Sequence, residues 1–345
     1  MTLRLLRRAA LAASFVALAS AVTGCAADFD DELTDDVELD VKGGKKKNKG
    51  KNKNGEGNGG GGNGGGGNDN KGRRFDVVQH NIGGDAENDG GPAGIAYTLD
   101  RVQAINPDAV MLEEVCAAQY EAFKQRFPTW SVLFAPMTMN EGWPKCGGTP
   151  KGQLLASPRA MVEEIRQDLG EPDGNKQFTL LCGAIPMPNT ARKVLACVTH
   201  LRAGDGDNAA IARARKLQAY RISTTLTPRA NGGQAVVLGG DLNAGPGRDT
   251  LDRIYRLTRS GNYNGGVFDE ADQADGNRDK YARRDDVRCA DDACRTGEGT
   301  MTSNSSKLDY VFFSNNRVSG KLNAEVEGNG GSGHKLYHAW TWLKL

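Results

Sequence analysis

Short apolar runs alternate with segments of helical period from residue 75 to residue 345, and this alternation limits the fold more than any other feature of the sequence. Eight runs have strand length and strand residues: 75–82, 108–115, 131–136, 178–185, 193–199, 235–239, 308–314 and 337–343. Between the first two, Ile95, Leu99, Val102 and Ile105 fall on one face of a helix over Pro92–Ile105. Segments 117–127, 209–226 and 249–257 share that period. Strands alternating with helices, then ending in strands, predict one layered α/β domain rather than an all-β one. Residues 259–304, rich in Asp, Arg, Gly and Asn, read as a long surface excursion.

Nothing upstream of residue 75 can build a core. Residues 28–41 carry eight acids and no base, and residues 42–74 carry ten bases against Glu56 and Asp69. The stretch from Lys42 to Gly72 holds 14 glycines and no aromatic residue. Too little apolar surface is present to offset the entropy of ordering, so residues 26–74 read as a disordered linker, acidic and then rich in Lys, Asn and Gly. Its coil has a reach of roughly 40 Å. A basic arm that grips polyanions is the alternative. The formal net charge of +1 hides these blocks, because residues 75–345 carry −2. That balance excludes a highly basic protein that coats nucleic acid, and the absence of any apolar run of 18 residues excludes a multi-pass membrane protein.

Residues 1–25 have the pattern of a signal peptide. A basic start (Arg4, Arg7, Arg8) precedes the 15-residue apolar run from Ala9 to Thr23, which predicts export from a bacterial cytoplasm. Val22-Thr23-Gly24-Cys25 resembles the lipobox of bacterial lipoproteins, which implies a lipid on Cys25 and a membrane anchor. Ordinary cleavage after a small residue such as Ala27, giving a secreted protein, is the alternative. Six further cysteines remain, an even number that suggests three disulfides in an exported chain. Fifteen pairings are open for six cysteines. Cys182 with Cys197 joins two adjacent strand-like runs, Cys289 with Cys294 closes a short loop, and Cys116 with Cys146 are then left for each other.

The chemistry-bearing residues stand at strand ends: His80-Asn81, Glu113-Glu114, Thr199-His200, Gly240-Asp241-Leu242-Asn243, Leu308-Asp309 and Ser332-Gly333-His334. One such stretch is usually only a strand meeting a turn. The six blocks VVQHNIGG, VMLEEV, ACVTHL, VVLGGDLNAGP, SKLDYVFFS and GSGHKLYHAW together resemble, in order, the endonuclease/exonuclease/phosphatase superfamily with its deoxyribonuclease-I-like fold. The resemblance implies a four-layer α-β-β-α sandwich of two mixed sheets over residues 75–345, a divalent metal and hydrolysis of a phosphoester.

Position by position, the resemblance makes His200, Asp241, Asn243, Asp309 and His334 catalytic and Asn81, Glu114 and Asp241 metal-binding, with Mg²⁺ expected and Mn²⁺ or Ca²⁺ the alternatives. Asp309 would orient His334, and carboxylate and amide oxygens suit a hard cation. Strand alternation points Glu113 and His80 away from the site. An extended backbone puts Asp241 and Asn243 on one face. His338, on the last strand, lies outside it. Gly333 stands where the family has an Asp that assists the metal, so Gly333→Asp is expected to strengthen metal binding. A nuclease acting on nucleic acid is the leading reading. A phosphomonoesterase, an inositol-phosphate phosphatase or a sphingomyelinase-like phospholipase is the alternative within the class, and a weakly catalytic polyanion-binding protein the alternative outside it.

Overall fold

The computed structural model describes residues 72–137, 143–170, 177–257, 265–273, 295 and 297–345. Twelve strands and three α-helices follow one another in the described chain: β1 Arg73–Asn81, α1 Ala96–Ile105, β2 Ala109–Cys116, α2 Ala117–Arg126, β3 Ser131–Met137, β4 Lys151–Ser157, β5 Glu164–Asp168, β6 Thr179–Pro186, β7 Lys193–His200, α3 Ala209–Asn231, β8 Ala235–Asp241, β9 Phe268–Glu270, β10 Asp309–Ser314, β11 Asn323–Val326 and β12 Tyr337–Leu343. They form two six-stranded sheets, ordered β11-β12-β1-β2-β4-β3 and β5-β6-β7-β8-β10-β9. Each sheet has one parallel pair, β1 with β2 and β7 with β8; every other pairing is antiparallel. A parallel pair needs a crossover, and α1 and α3 supply the two.

Period-two alternation explains the layers. In β1, Phe75 and Val77 face a core shared with Met111, Leu155, Leu181, Val198, Val237 and Val311, drawn from both sheets. Val78 faces the opposite way, toward Leu99 of α1 and Phe123 of α2. In the second sheet, Val236 and Leu238 turn outward to Ile222 and Leu226 of α3. The result is the expected α-β-β-α sandwich. Among the described residues no helix is long and apolar enough to cross a membrane.

Several element boundaries differ from the sequence reading. The first strand opens at Arg73, because Arg73 and Arg74 pair with Leu343 and Trp342 of β12; two residues assigned to the linker thus belong to the domain. No helix forms over 249–257: a single 3-10 turn at Asp249–Leu251 ends when the Arg256 N–H donates to the Phe268 carbonyl. Four strands carried too little apolar signal to be read. Three of them, β5, β9 and β11, lie on sheet edges, where only one side is paired and charged residues are tolerated. The described parts of 259–304 are not a surface excursion, since Phe268, Glu270, Asp272, Arg295 and Thr300 are all buried.

Two disulfides match the expected pairs. Cys182 and Cys197 face each other across β6 and β7, and Cys116 is joined to Cys146. Cys25, Cys289 and Cys294 lie outside the described residues, as do the signal-peptide and linker expectations up to residue 71.

Candidate active site

Strand register brings the second sheet's polar residues together. His200 ends β7 beside Asp241, which ends β8, and Asp241 pairs in turn with Asp309 at the start of β10. The close approach depends on Gly240, whose φ of +148° suits glycine; a Cβ there would run into the Thr199 carbonyl of the neighbouring strand. In the first sheet Asn81 ends β1, Glu114 lies near the end of β2, and His334 stands just before β12.

The two groups meet. His334 Nδ1 lies 2.9 Å from Asp309 Oδ2, and its Nε2 lies 3.7 Å from Asp241 Oδ2. His200 Nε2 lies 3.5 Å from Asp241 Oδ2 and 4.0 Å from Glu114 Oε1. Asn81 Nδ2 donates to Asp241 Oδ2 at 3.0 Å and reaches Glu114 Oε1 at 3.4 Å. Six of the seven predicted site residues therefore surround one point. His80 does face away, bonding Thr98 of α1 and the His334 carbonyl, and His338 pairs with Asp76 outside the site.

The family model for the endonuclease/exonuclease/phosphatase family matches residues 78–326. The chain belongs to this family. Its members are generally hydrolases that act on phosphoester bonds. The family's fold is also seen in solved structures. The human Nocturnin catalytic domain with bound sulfate anion is 18% identical, with a TM-score of 0.56, over 79% of this chain and 96% of that one. Truncated TDP2 of Caenorhabditis elegans is 17% identical, TM-score 0.55, over 78% and 97%. The endonuclease/exonuclease/phosphatase of Beutenbergia cavernae DSM 12333 is 16% identical, TM-score 0.57, over 79% and 72%. At these identities the likeness is one of fold. No curated protein matches.

Three local readings of this family member's site are corrected by its backbone. Glu113 does not turn away. A register shift between Leu112 and Val115 interrupts the β2–β4 ladder, and Glu114 takes a φ of +58°. A bulge of this kind breaks side-chain alternation. Glu113 then bonds Gln79 while Glu114 reaches Asn81, and those two partners share one face of β1. Nor is Asn243 extended. Its φ is +50°, its N–H donates to Asp241 Oδ1, and its amide donates to the Leu201 carbonyl, so it braces Asp241 and the residue after His200. Asn81, expected as an oxygen ligand, presents its amide nitrogen to the two carboxylates while its oxygen accepts the Gly83 N–H. As placed it ties the carboxylates together; to ligate a cation its amide would have to turn over.

Four groups at the site had no sequence signal. Gln79 donates to both Glu113 and Asp309. The Lys151 ammonium lies 2.7 Å from Glu114 Oε2, over the ring of Trp143. Glu87 accepts the Gly333 N–H, and a Cβ at 333 would meet the Glu87 carboxylate. Gly333→Asp would thus set two carboxylates in one space, so the strengthened metal binding expected from sequence is offset unless the exposed Glu87 swings aside.

Burial and neighbouring charges shift the ionisation of the cluster. Burial works against a charge on His334, but the Asp309 and Asp241 carboxylates overcome it and raise its pKa to about 10. Burial pushes Asp309 up, yet His334 holds it below the ordinary value. Burial raises Asp241, with Asp309 adding to the rise and His334 opposing it. Burial also pushes Glu114 up, but His200 and then Lys151 bring it down to about 2. Glu113 is driven well up by burial and by the Asp309 carboxylate. His80 is pushed down to about 4 by burial and stays neutral.

The residues present fit a hard divalent cation. The facing oxygens of Asp241 and Glu114 both lie within reach of the Asn81 amide, and the buried His200 Nε2 has no hydrogen-bond partner among the described residues. Carboxylate oxygens are the donors such a cation prefers.

Proposed function

We propose that the protein is a divalent-cation-dependent phosphoesterase that hydrolyses phosphodiesters in nuclease fashion. The convergence of His200, Asp241 and Asp309 from one sheet with Asn81, Glu114 and His334 from the other carries this reading. Glu114 and Asp241 would hold the cation, Mg²⁺ before Mn²⁺ or Ca²⁺, which when bound neutralises charge on the phosphate and helps the leaving oxygen. His200 Nε2, beside Asp241 and Glu114 but without a hydrogen bond among the described residues, donates to a phosphoryl oxygen. Asp309 fixes the His334 tautomer and keeps the ring charged, so His334 in this state is an acid. It accepts a proton from the attacking water only once the charge on Asp241 is compensated; Asp241, its own pKa raised, is the other acceptor. Asn243 positions Asp241 rather than reacting.

The test is a substrate panel: mature protein with Mg²⁺, Mn²⁺ or Ca²⁺ on DNA, RNA, sphingomyelin and phosphorylated inositols. Cleavage of DNA or RNA is expected. Hydrolysis confined to sphingomyelin or inositol phosphates moves the reading to those classes, and polyanion binding without turnover removes it.

We also propose export and anchoring through a lipid on Cys25, on the strength of Val22-Thr23-Gly24-Cys25 after the apolar run. Cys25→Ser should move the protein from the membrane fraction to the soluble one. A wild-type protein already soluble and starting after Ala27 contradicts the anchor.

A further inference from the structure

The Lys151 ammonium is buried in a site read above as a cation site, and no step of the proposed reaction uses it. Lys151 opens β4 and pairs in register with Cys116 of β2, which sets its side chain beside the bulged Glu114. Its Nζ lies 2.7 Å from Glu114 Oε2 and 3.4 Å from Asp85 Oδ2, and 4.2 Å from the centre of the Trp143 ring. Trp143 is itself held: its indole N–H donates to the Met137 carbonyl, and the Cys116–Cys146 disulfide ties the following turn to the end of β2. Lys151 is therefore a fixed charge with three partners, not a lysine that has drifted in from the surface.

Glu114 is the carboxylate it shares with the site. One Glu114 oxygen faces Asn81 and His200, and the other carries the ammonium. We propose that Lys151 is a positioning residue that sets the cation affinity of the site, acting as the resident counter-ion of Glu114 with which a divalent cation must compete. The ammonium lowers the negative charge a cation would meet and fills one of the two carboxylate oxygens. Asp85 and the Trp143 face give it a second place to rest, so Glu114 can be shared or yielded without stranding a buried, unpaired charge. The consequence is a site that loads metal only at comparatively high concentration. The inference rests on the phosphoesterase reading, since it assumes that Glu114 and Asp241 hold a cation.

The test is direct Mn²⁺ binding to the mature protein, by calorimetry and by the signal of free Mn²⁺ in electron paramagnetic resonance, for wild type, Lys151→Gln, Lys151→Met, Lys151→Arg and Asp241→Asn. Lys151→Gln and Lys151→Met should each bind Mn²⁺ at least tenfold more tightly than wild type, while Lys151→Arg, which keeps the charge, stays near wild type. Lys151→Met retains the apolar contact with Trp143, so it separates loss of charge from loss of packing. A purely structural Lys151 predicts equal or weaker binding in both neutral variants, and that result overturns the proposal. If wild type binds Mn²⁺ and Asp241→Asn does not, but the lysine variants match wild type, the lysine inference alone fails. If neither wild type nor any variant binds Mn²⁺, the cation site itself fails and the inference with it.

Discussion

Asp241→Asn should reduce phosphodiester hydrolysis by at least 10³-fold at any metal concentration. Asp241 has more partners in the site than any other residue: its Oδ1 accepts the Asn243 N–H, and its Oδ2 faces Asn81, His200 and His334. An amide of the same shape keeps the packing but removes the charge that would hold a cation and that supports the imidazolium of His334. Folding should survive, because the strand register that places residue 241 is carried by backbone bonds to β7 and β10. Comparing hydrolysis rates and circular dichroism of the two proteins checks both halves of the expectation.

Loss of His334 should have the second-largest effect. His334→Gln is expected to slow hydrolysis by about 10²–10⁴-fold, the scale of a positioned acid or base. It should also change the response of the metal-free fold to pH. The folded pKa of about 10 lies above the ordinary value of 6.5, so the stabilisation from His334 is complete below pH 6.5 and is lost as pH rises through about 10. Asp309 is lowered, so its share is present above its ordinary value of 3.8 and is lost only as pH falls through its depressed pKa. Between those limits the pair contributes its full stabilisation. Denaturant unfolding from pH 6 to pH 10 should show the alkaline loss in wild type and a flatter profile in His334→Gln. His338→Gln, altering the imidazole that pairs with Asp76, should leave turnover near wild type.

How much of this could be read from the residues depends on the distance over which each was determined. His200, Asp241 and Asp309 were legible because each ends or begins an apolar run, and strand register alone then places them side by side. His334 was legible from its short block before the last strand. The orientation of Glu113 was not, since strict alternation holds only for an unbroken strand, and the bulge at Glu113–Glu114 depends on how β4 pairs with β2. Asn243 was misread for a similar reason: the strand stops at Asp241 and the chain turns left-handed two residues later. Lys151 and Glu87 carry no local pattern. They reach the site only through strand pairing and loop packing, from positions 37 residues after Glu114 and 246 before Gly333.

We propose the cluster around Asp241 as a cation-dependent phosphodiesterase centre. Initial rates on a DNA or RNA substrate, with and without Mg²⁺, for wild type and Asp241→Asn test it most directly. Wild-type turnover should require the cation, disappear on chelation and be absent in Asp241→Asn. Equal turnover by both proteins, or wild-type turnover untouched by chelation, would contradict it.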